Sequence, residues 1–196
     1  MKAYQSILIN LLNHSDNQSK QIIKQYYKKH DRLLKDDGTL WILCNTSIKN
    51  NEPVVHPFAI AEEFKRYYLK NIIIVPGFNR INEGTFFDNC VYHILFFSKN
   101  EQYFFDKDPI REKHIWKDVE WGKRKKNYNP KGKFPGNVWL KTKDDGKGKI
   151  TEHVAISFKD VIKRIIQCST KGKSNCLLIN FNKAQVNMPA ININYE

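Results

Sequence analysis

Residues 17–44, NQSKQIIKQYYKKHDRLLKDDGTLWILC, decide the fold class because their hydrophobic period changes within the stretch. Apolar or aromatic side chains recur at Ile22, Ile23, Tyr26, Tyr27, His30, Leu33 and Leu34, with lysines between them. That i, i+3, i+4, i+7 stripe predicts an amphipathic helix from Asn17 to Leu34. Ser15 or Asp16 can cap its start, and the Asp36-Asp37-Gly38 turn is expected to end it. Leu40-Trp41-Ile42-Leu43-Cys44 then places five apolar residues in a row, the pattern of a strand covered on both faces.

Outward from this stretch the same alternation continues. Pro57 suits a first helical position, and Ala59 to Tyr68 reads as a second helix. Asn71 to Val75 reads as a β-branched strand, broken by Pro76-Gly77. Cys90 to Phe97 reads as a third strand and Tyr103-Phe104-Phe105 as a short fourth. Helix, strand, helix, strand, strand is the grammar of an α/β sheet with crossovers. Residues 106–150 interrupt it with five Gly, three Pro and little periodicity, so they are expected to form a long functional loop or small lobe. Phe158, Val161, Ile162, Ile165 and Ile166 mark a further helix, and Cys176 to Ile179 a buried strand. Residues 182–196 read as an irregular tail.

At 196 residues the chain is long enough for one domain with a real core and short for two. Its longest apolar runs, Ile72 to Val75 and Ile94 to Phe97, fall far below the ~18 residues that span a bilayer. The first six residues carry one lysine and no small-residue cleavage site, so no secretion signal is expected. Cys44, Cys90, Cys168 and Cys176 have neither CxxC pairing nor a His at metal-ligand spacing, which predicts buried free thiols in a cytoplasmic protein.

The net charge of +13 asks for an acidic partner, with nucleic acid first and an anionic membrane second. The surplus is concentrated. Residues 111–149 hold thirteen Lys or Arg against five Asp or Glu, which a general composition bias would not produce. Trp116, Trp121, Tyr128 and Trp139 interleave with these cations. Aromatics beside basic residues suit base stacking with phosphate neutralisation, or else serve as core anchors. The candidate DNA contacts are Arg111, Lys123, Arg124, Lys125, Lys126, Lys131, Lys133 and Trp139.

Four stretches, in order, resemble the amino-group (adenine N6 or cytosine N4) DNA methyltransferases with permuted motif order. They are Tyr26 to Ile42, Val91 to Lys99, Lys131 to Trp139, and Glu152 to Ile166. The third is similar to an asparagine-proline-glycine-aspartate-valine-tryptophan signature. The fourth resembles a His-Pro motif and helix that line the methionine end of S-adenosylmethionine. The resemblance implies a partial methyltransferase-like (Rossmann-like) mixed α/β sheet with a long basic loop inserted. It divides the single domain into a catalytic-half scaffold (1–105), a DNA-facing target-recognition region (106–150), a degenerate cofactor-half helix and strand (151–181) and the tail.

The departures from the family are as informative. Its catalytic motif, an Asp, Asn or Ser followed by Pro-Pro and an aromatic, belongs upstream of the first matched helix, yet the chain has no Pro-Pro and no Pro before Pro53. Its cofactor motif, Asp-Pro-Phe with a Gly-x-Gly turn, aligns with Ile179-Asn180-Phe181, and no glycine follows Gly172. Only His153 and Phe181 remain as cofactor-site candidates. The expectation is a truncated or split, DNA-binding methyltransferase-like protein of restriction-modification type, inactive alone. S-adenosylmethionine is implied by resemblance only. The missing motif strand would expose a sheet edge, predicting a homodimer or a complementing subunit. A non-catalytic DNA-binding module is the alternative. A Mg²⁺ nuclease built on Asp106, Asp108, Glu112 and Glu120 is a weaker one.

Overall fold

The computed structural model describes residues 3–49, 52–54, 56–77, 90–114, 129–147, 149–172, 174–182 and 193–196. In chain order the elements are β1 (Tyr4–Asn10), α1 (Asp16–Lys29), β2 (Leu34–Asn45), the short pair β3 (Ser47–Lys49) and β4 (Glu52–Val54), α2 (His56–Glu63), β5 (Tyr68–Pro76) and β6 (Val91–Ser98). They continue with β7 (Leu140–Asp144), β8 (Ile150–Ala155), α3 (Phe158–Ser169), β9 (Cys176–Ile179) and β10 (Ile193–Tyr195). Six strands form one sheet in the order β10-β9-β1-β2-β6-β5. The first four run parallel, and β6 runs antiparallel to both β2 and β5.

Side chains alternate between two cores, as the two-residue period of a strand requires. Trp41 and Leu43 of β2 face α3, where Val161, Ile162, Ile165 and Ile166 supply the apolar stripe. Leu40, Ile42 and Cys44 face Ile23 and Tyr26 of α1 and Ile60 and Phe64 of α2. The expectation that β2 is covered on both faces therefore holds, and its residues from Gly38 to Cys44 are all buried.

α1 begins with a capping box. Ser15 N donates to Gln18 Oε1 at 2.9 Å, and Ser15 Oγ accepts from Gln18 N. The helix ends at Lys29, short of the Leu34 expected from the stripe, because a 3-10 turn over Asp31–Leu33 releases Leu34 to pair with Tyr4. Asp36-Asp37-Gly38 is likewise no turn after a helix. It lies in a bulge of β2, where Tyr4 pairs with Leu34 but Ser6 with Thr39. A Cβ at Gly38 would stand 2.7 Å from Leu34 Cδ1 and 2.8 Å from the Lys35 carbonyl, so the bulge requires glycine.

Further expectations are corrected. β1, which went unread as a strand, occupies the middle of the sheet, so the gap expected from a missing motif strand is absent. The tail is not wholly irregular: β10 pairs in parallel with β9 as an edge strand. α2 stops at Glu63, because Tyr68 onward joins β5. Tyr103-Phe104-Phe105 makes no ladder. It lies as a strap, with Phe104 N donating to Asp37 O at 2.9 Å and Phe105 packed on Phe96. A division at residue 150 would cut the β7–β8 hairpin, in which Leu140 pairs with Ala155 and Asp144 with Ile150.

Candidate functional site

In an open α/β sheet the ligand crevice lies beyond the carboxyl ends of the strands, where the winding direction reverses. Here the chain leaves β1 toward β2 on one side and β9 toward β10 on the other, so the switch point lies between β1 and β9. Asn180, directly after β9, takes a left-handed φ of 63°, a region asparagine tolerates better than most residues. Its Nδ2 donates to the Asn10 carbonyl at 2.8 Å and lies 3.1 Å from His14 Nε2. His14 Nδ1 is 2.8 Å from the Leu12 carbonyl, which can only accept. The proton therefore sits on Nδ1, and Nε2 accepts from Asn180. Asn10 Oδ1 accepts from Leu12 N at 3.1 Å, and Asn45 Oδ1 from Asn13 N at 3.3 Å. A polar clasp thus joins the ends of β1, β2 and β9.

Sequence reasoning missed these residues because β1 was not read as a strand. The signal was present in Ile7-Leu8-Ile9, a short apolar run ahead of a capping serine. With β1 placed, Asn10-Leu11-Leu12-Asn13 falls where the family's catalytic motif belongs. Asn10 alone keeps a residue type of that motif.

The basic segment is partly ordered. Gly132, at φ 102°, lets Glu112 and Lys133 exchange backbone hydrogen bonds of 2.8 and 2.7 Å. Asp108 receives Lys131 Nζ and, at 2.8 Å, Arg111 Nε, and these two cations hold its carboxyl down at about 2. Arg111 is mostly buried, and its Nη1 donates to Gly132 O at 3.0 Å. It is therefore a clamp across this turn, which corrects its reading as a phosphate contact. Trp139 is corrected as well. Its ring is 4% exposed and lies under the Arg164 guanidinium at 5.0 Å, and its Nε1 donates to Gly136 O. It is a core anchor with no free face to stack on a base.

Lys133 is exposed and has no acidic partner among the described residues. It borders a cavity of about 430 Å³ with Lys113, Lys141, Arg164 and His153 on its wall. His153, expected at the cofactor, instead lies exposed on β8 with Nδ1 3.2 Å from Thr142 Oγ1. Phe181 is buried against Phe158, with ring centroids 6.2 Å apart. Lys123, Arg124, Lys125 and Lys126, with Trp116, Trp121, Tyr128 and Glu120, lie outside the described residues. The other carboxylates weighed for a metal are separately engaged. Asp106 Oδ1 accepts from Asp108 N, and Glu112 pairs with Arg164 at 2.7 Å. No cluster of three or more metal-ligating side chains occurs among the described residues.

A six-stranded mixed sheet with this order, helices on both faces and a switch point beside the strand before the first helix defines a Rossmann-like, S-adenosylmethionine-dependent methyltransferase fold. Residues 12–177 match the family model for DNA methylases of the N6/N4 type, and the chain belongs to that family.

Solved structures agree on the fold. The whole chain superposes on PvuII DNA methyltransferase (cytosine-N4-specific) with a TM-score of 0.62 at 12% identity, covering 76% of that protein. It superposes equally fully on the M1.HpyAVI–SAM complex, with a TM-score of 0.52 at 13% identity and 84% of that chain covered. TTHA0409, a DNA modification methylase of Thermus thermophilus complexed with S-adenosyl-L-methionine, aligns over 94% of this chain and 75% of its own. There the TM-score is 0.57 at 12% identity.

Proposed function

We propose that this chain is a DNA-binding derivative of the amino-group methyltransferases that does not itself transfer a methyl group. The observation that carries this reading is the Asn180 side chain, which bridges Asn10 and His14 at the switch point. The family's cofactor loop needs glycines there so that backbone can approach the ligand. This chain has none after Gly172, and Phe181 is turned into the core. The residues present do not fit S-adenosylmethionine, and no catalytic step is derived through it. Pro-Pro and the aromatic that would hold and stack an extruded base are replaced by Leu11-Leu12-Asn13.

What remains for DNA is charge. Lys133, Lys141 and Lys143 present ammonium groups along one edge of the β7–β8 hairpin, and the run from Lys123 to Lys126 belongs to the same stretch of sequence. Lys141 and Lys143 also reach Asp160 and Glu152 across exposed surface, pairings that water screens and phosphates can replace. Activity, if the chain takes part in it within a restriction-modification system, comes from a complementing subunit that brings the missing motifs. Two titrations test this reading. Calorimetry with S-adenosylmethionine is expected to show no heat, and micromolar binding would overturn it. Duplex DNA binding is expected to weaken steeply with salt, with log affinity falling by about 0.9 per neutralised phosphate against log salt. A flat dependence would remove the phosphate contacts.

A further inference from the structure

A second cavity, of about 380 Å³, lies on the α3 face of the sheet and shares no residue with the basic one. Trp41 and Phe96 lie on one side, stacked at 4.0 Å and 4°. The strap after β6 contributes Tyr103 and Phe105, and Phe134 stands across from Phe105 at 6.2 Å and 86°. Phe134 is 39% exposed, so its ring meets solvent at the cavity mouth. Three features specify what the cleft accepts. Its walls are rings, which attract a flat π-surface. Its charge is of one sign: Lys70 Nζ lies 5.1 Å from the Tyr103 centroid and Lys107 Nζ 5.7 Å from that of Phe134, while no lining residue is a carboxylate. Asn71 and Asn137 add exposed amides, groups that pair with the hydrogen-bonding edges of bases.

An aromatic slot with cations at its mouth and amides on its wall matches a base joined to a phosphate. A peptide aromatic would satisfy the rings and leave the lysines without a counter-charge. We propose that this cleft binds one unpaired nucleobase of a single strand, stacked against Phe134 and Phe105, with its phosphate held by Lys70 and Lys107. The assignment does not depend on the basic hairpin or on the state of the cofactor crevice.

The test is fluorescence anisotropy of the full chain with a labelled eight-nucleotide oligodeoxyadenylate and an abasic oligomer of equal length and charge. The adenylate is expected to bind about tenfold or more tightly, the range that base–aromatic stacking provides. Phe134→Ala is expected to remove that advantage, leave abasic binding unchanged and leave the thermal melt in place, because the ring is surface-exposed. Lys70→Ala is expected to reduce the salt slope by about 0.7, one single-strand phosphate. dAMP is expected to compete more weakly than the oligomer, and N-acetyltryptophanamide not at all. Equal affinity for adenylate and abasic oligomers, or no effect of Phe134→Ala, would overturn the proposal. So would competition by the tryptophan derivative matching that of dAMP, or dAMP binding as tightly as the oligomer. Duplex binding through Lys133 is expected to be unaffected by Phe134→Ala, so failure here leaves that separate reading in place.

Discussion

Asn180 and Asn10, 170 residues apart, meet where β9 and β1 end, the amide of one donating to the main-chain carbonyl of the other at 2.8 Å. This contact joins the two halves of the sheet at the point where such folds open for a ligand. Asn180→Ala is expected to lose the hydrogen bonds and to strain a residue held at φ 63°, costing roughly 2–3 kcal/mol together. Asn180→Gly relieves the backbone and loses only the side chain. Urea unfolding midpoints should therefore rank wild type above Gly above Ala. Equal midpoints for Gly and Ala would show that backbone conformation contributes nothing there.

Tyr26 and Tyr67 share a 2.6 Å hydrogen bond between α1 and the turn after α2. Tyr67 also donates to Asp31 Oδ1 at 2.7 Å, and Arg66 holds the second oxygen of the same carboxylate. Burial pushes both phenols up. Tyr67→Phe strands the buried Tyr26 hydroxyl and is expected to cost about 1–3 kcal/mol. Adding Tyr26→Phe should then cost little more, because the stranded group is gone. A double-mutant cycle with additive costs would contradict the coupling.

Two histidines set the response to mild acid. His30 and His93 are lowered from the usual imidazole value by burial, which for His30 outweighs the attraction of Glu196 at 2.9 Å. His93 Nδ1 has no hydrogen-bond partner among the described residues. Because the folded values lie below the unfolded one, the unfolded chain takes up protons first, and stability falls as pH drops through about 6.5. Asp108 acts in a lower window. Its carboxyl is held at about 2 by Lys131 and Arg111, so its contribution persists above the unfolded value near 4 and is lost as pH falls through 2. Denaturant midpoints from pH 8 to 5 should decline for wild type and decline less for His93→Gln.

Three thiols are sealed. Cys44 and Cys168 are pushed up to about 12 by burial, and Cys176 higher still, while Cys90 is exposed. The native protein is expected to react with one equivalent of a thiol reagent, at Cys90, and with four in denaturant. Cys90→Ser should abolish the native reaction. Reaction at Cys168 without unfolding would mean that α3 opens readily from the sheet. The expectation of buried thiols thus stands for three cysteines and is corrected for Cys90, which precedes β6 instead of lying within it.

By itself the sequence determined what is periodic or compositional. The apolar stripes of α1 and α3, the doubly covered run from Leu40 to Cys44, the cluster of cations between 111 and 149 and the lack of glycine after Gly172 were all legible there. Each depends on neighbours a few residues away, and local geometry fixes those. Even so, the stripe overran α1 at Leu33 and Leu34, because only pairing with Tyr4 could claim Leu34 for the sheet. Tertiary structure alone decided the rest. Tyr4–Asn10 became the central strand, Ile193–Tyr195 an edge, and Asn10, His14 and Asn180 one clasp. Arg111 and Trp139 look like DNA contacts beside their lysines, but Asp108, Gly132 and Arg164 hold them inward. The reason is that sheet register and the burial of long side chains are settled by which distant segments pack together. No window of sequence contains that partner.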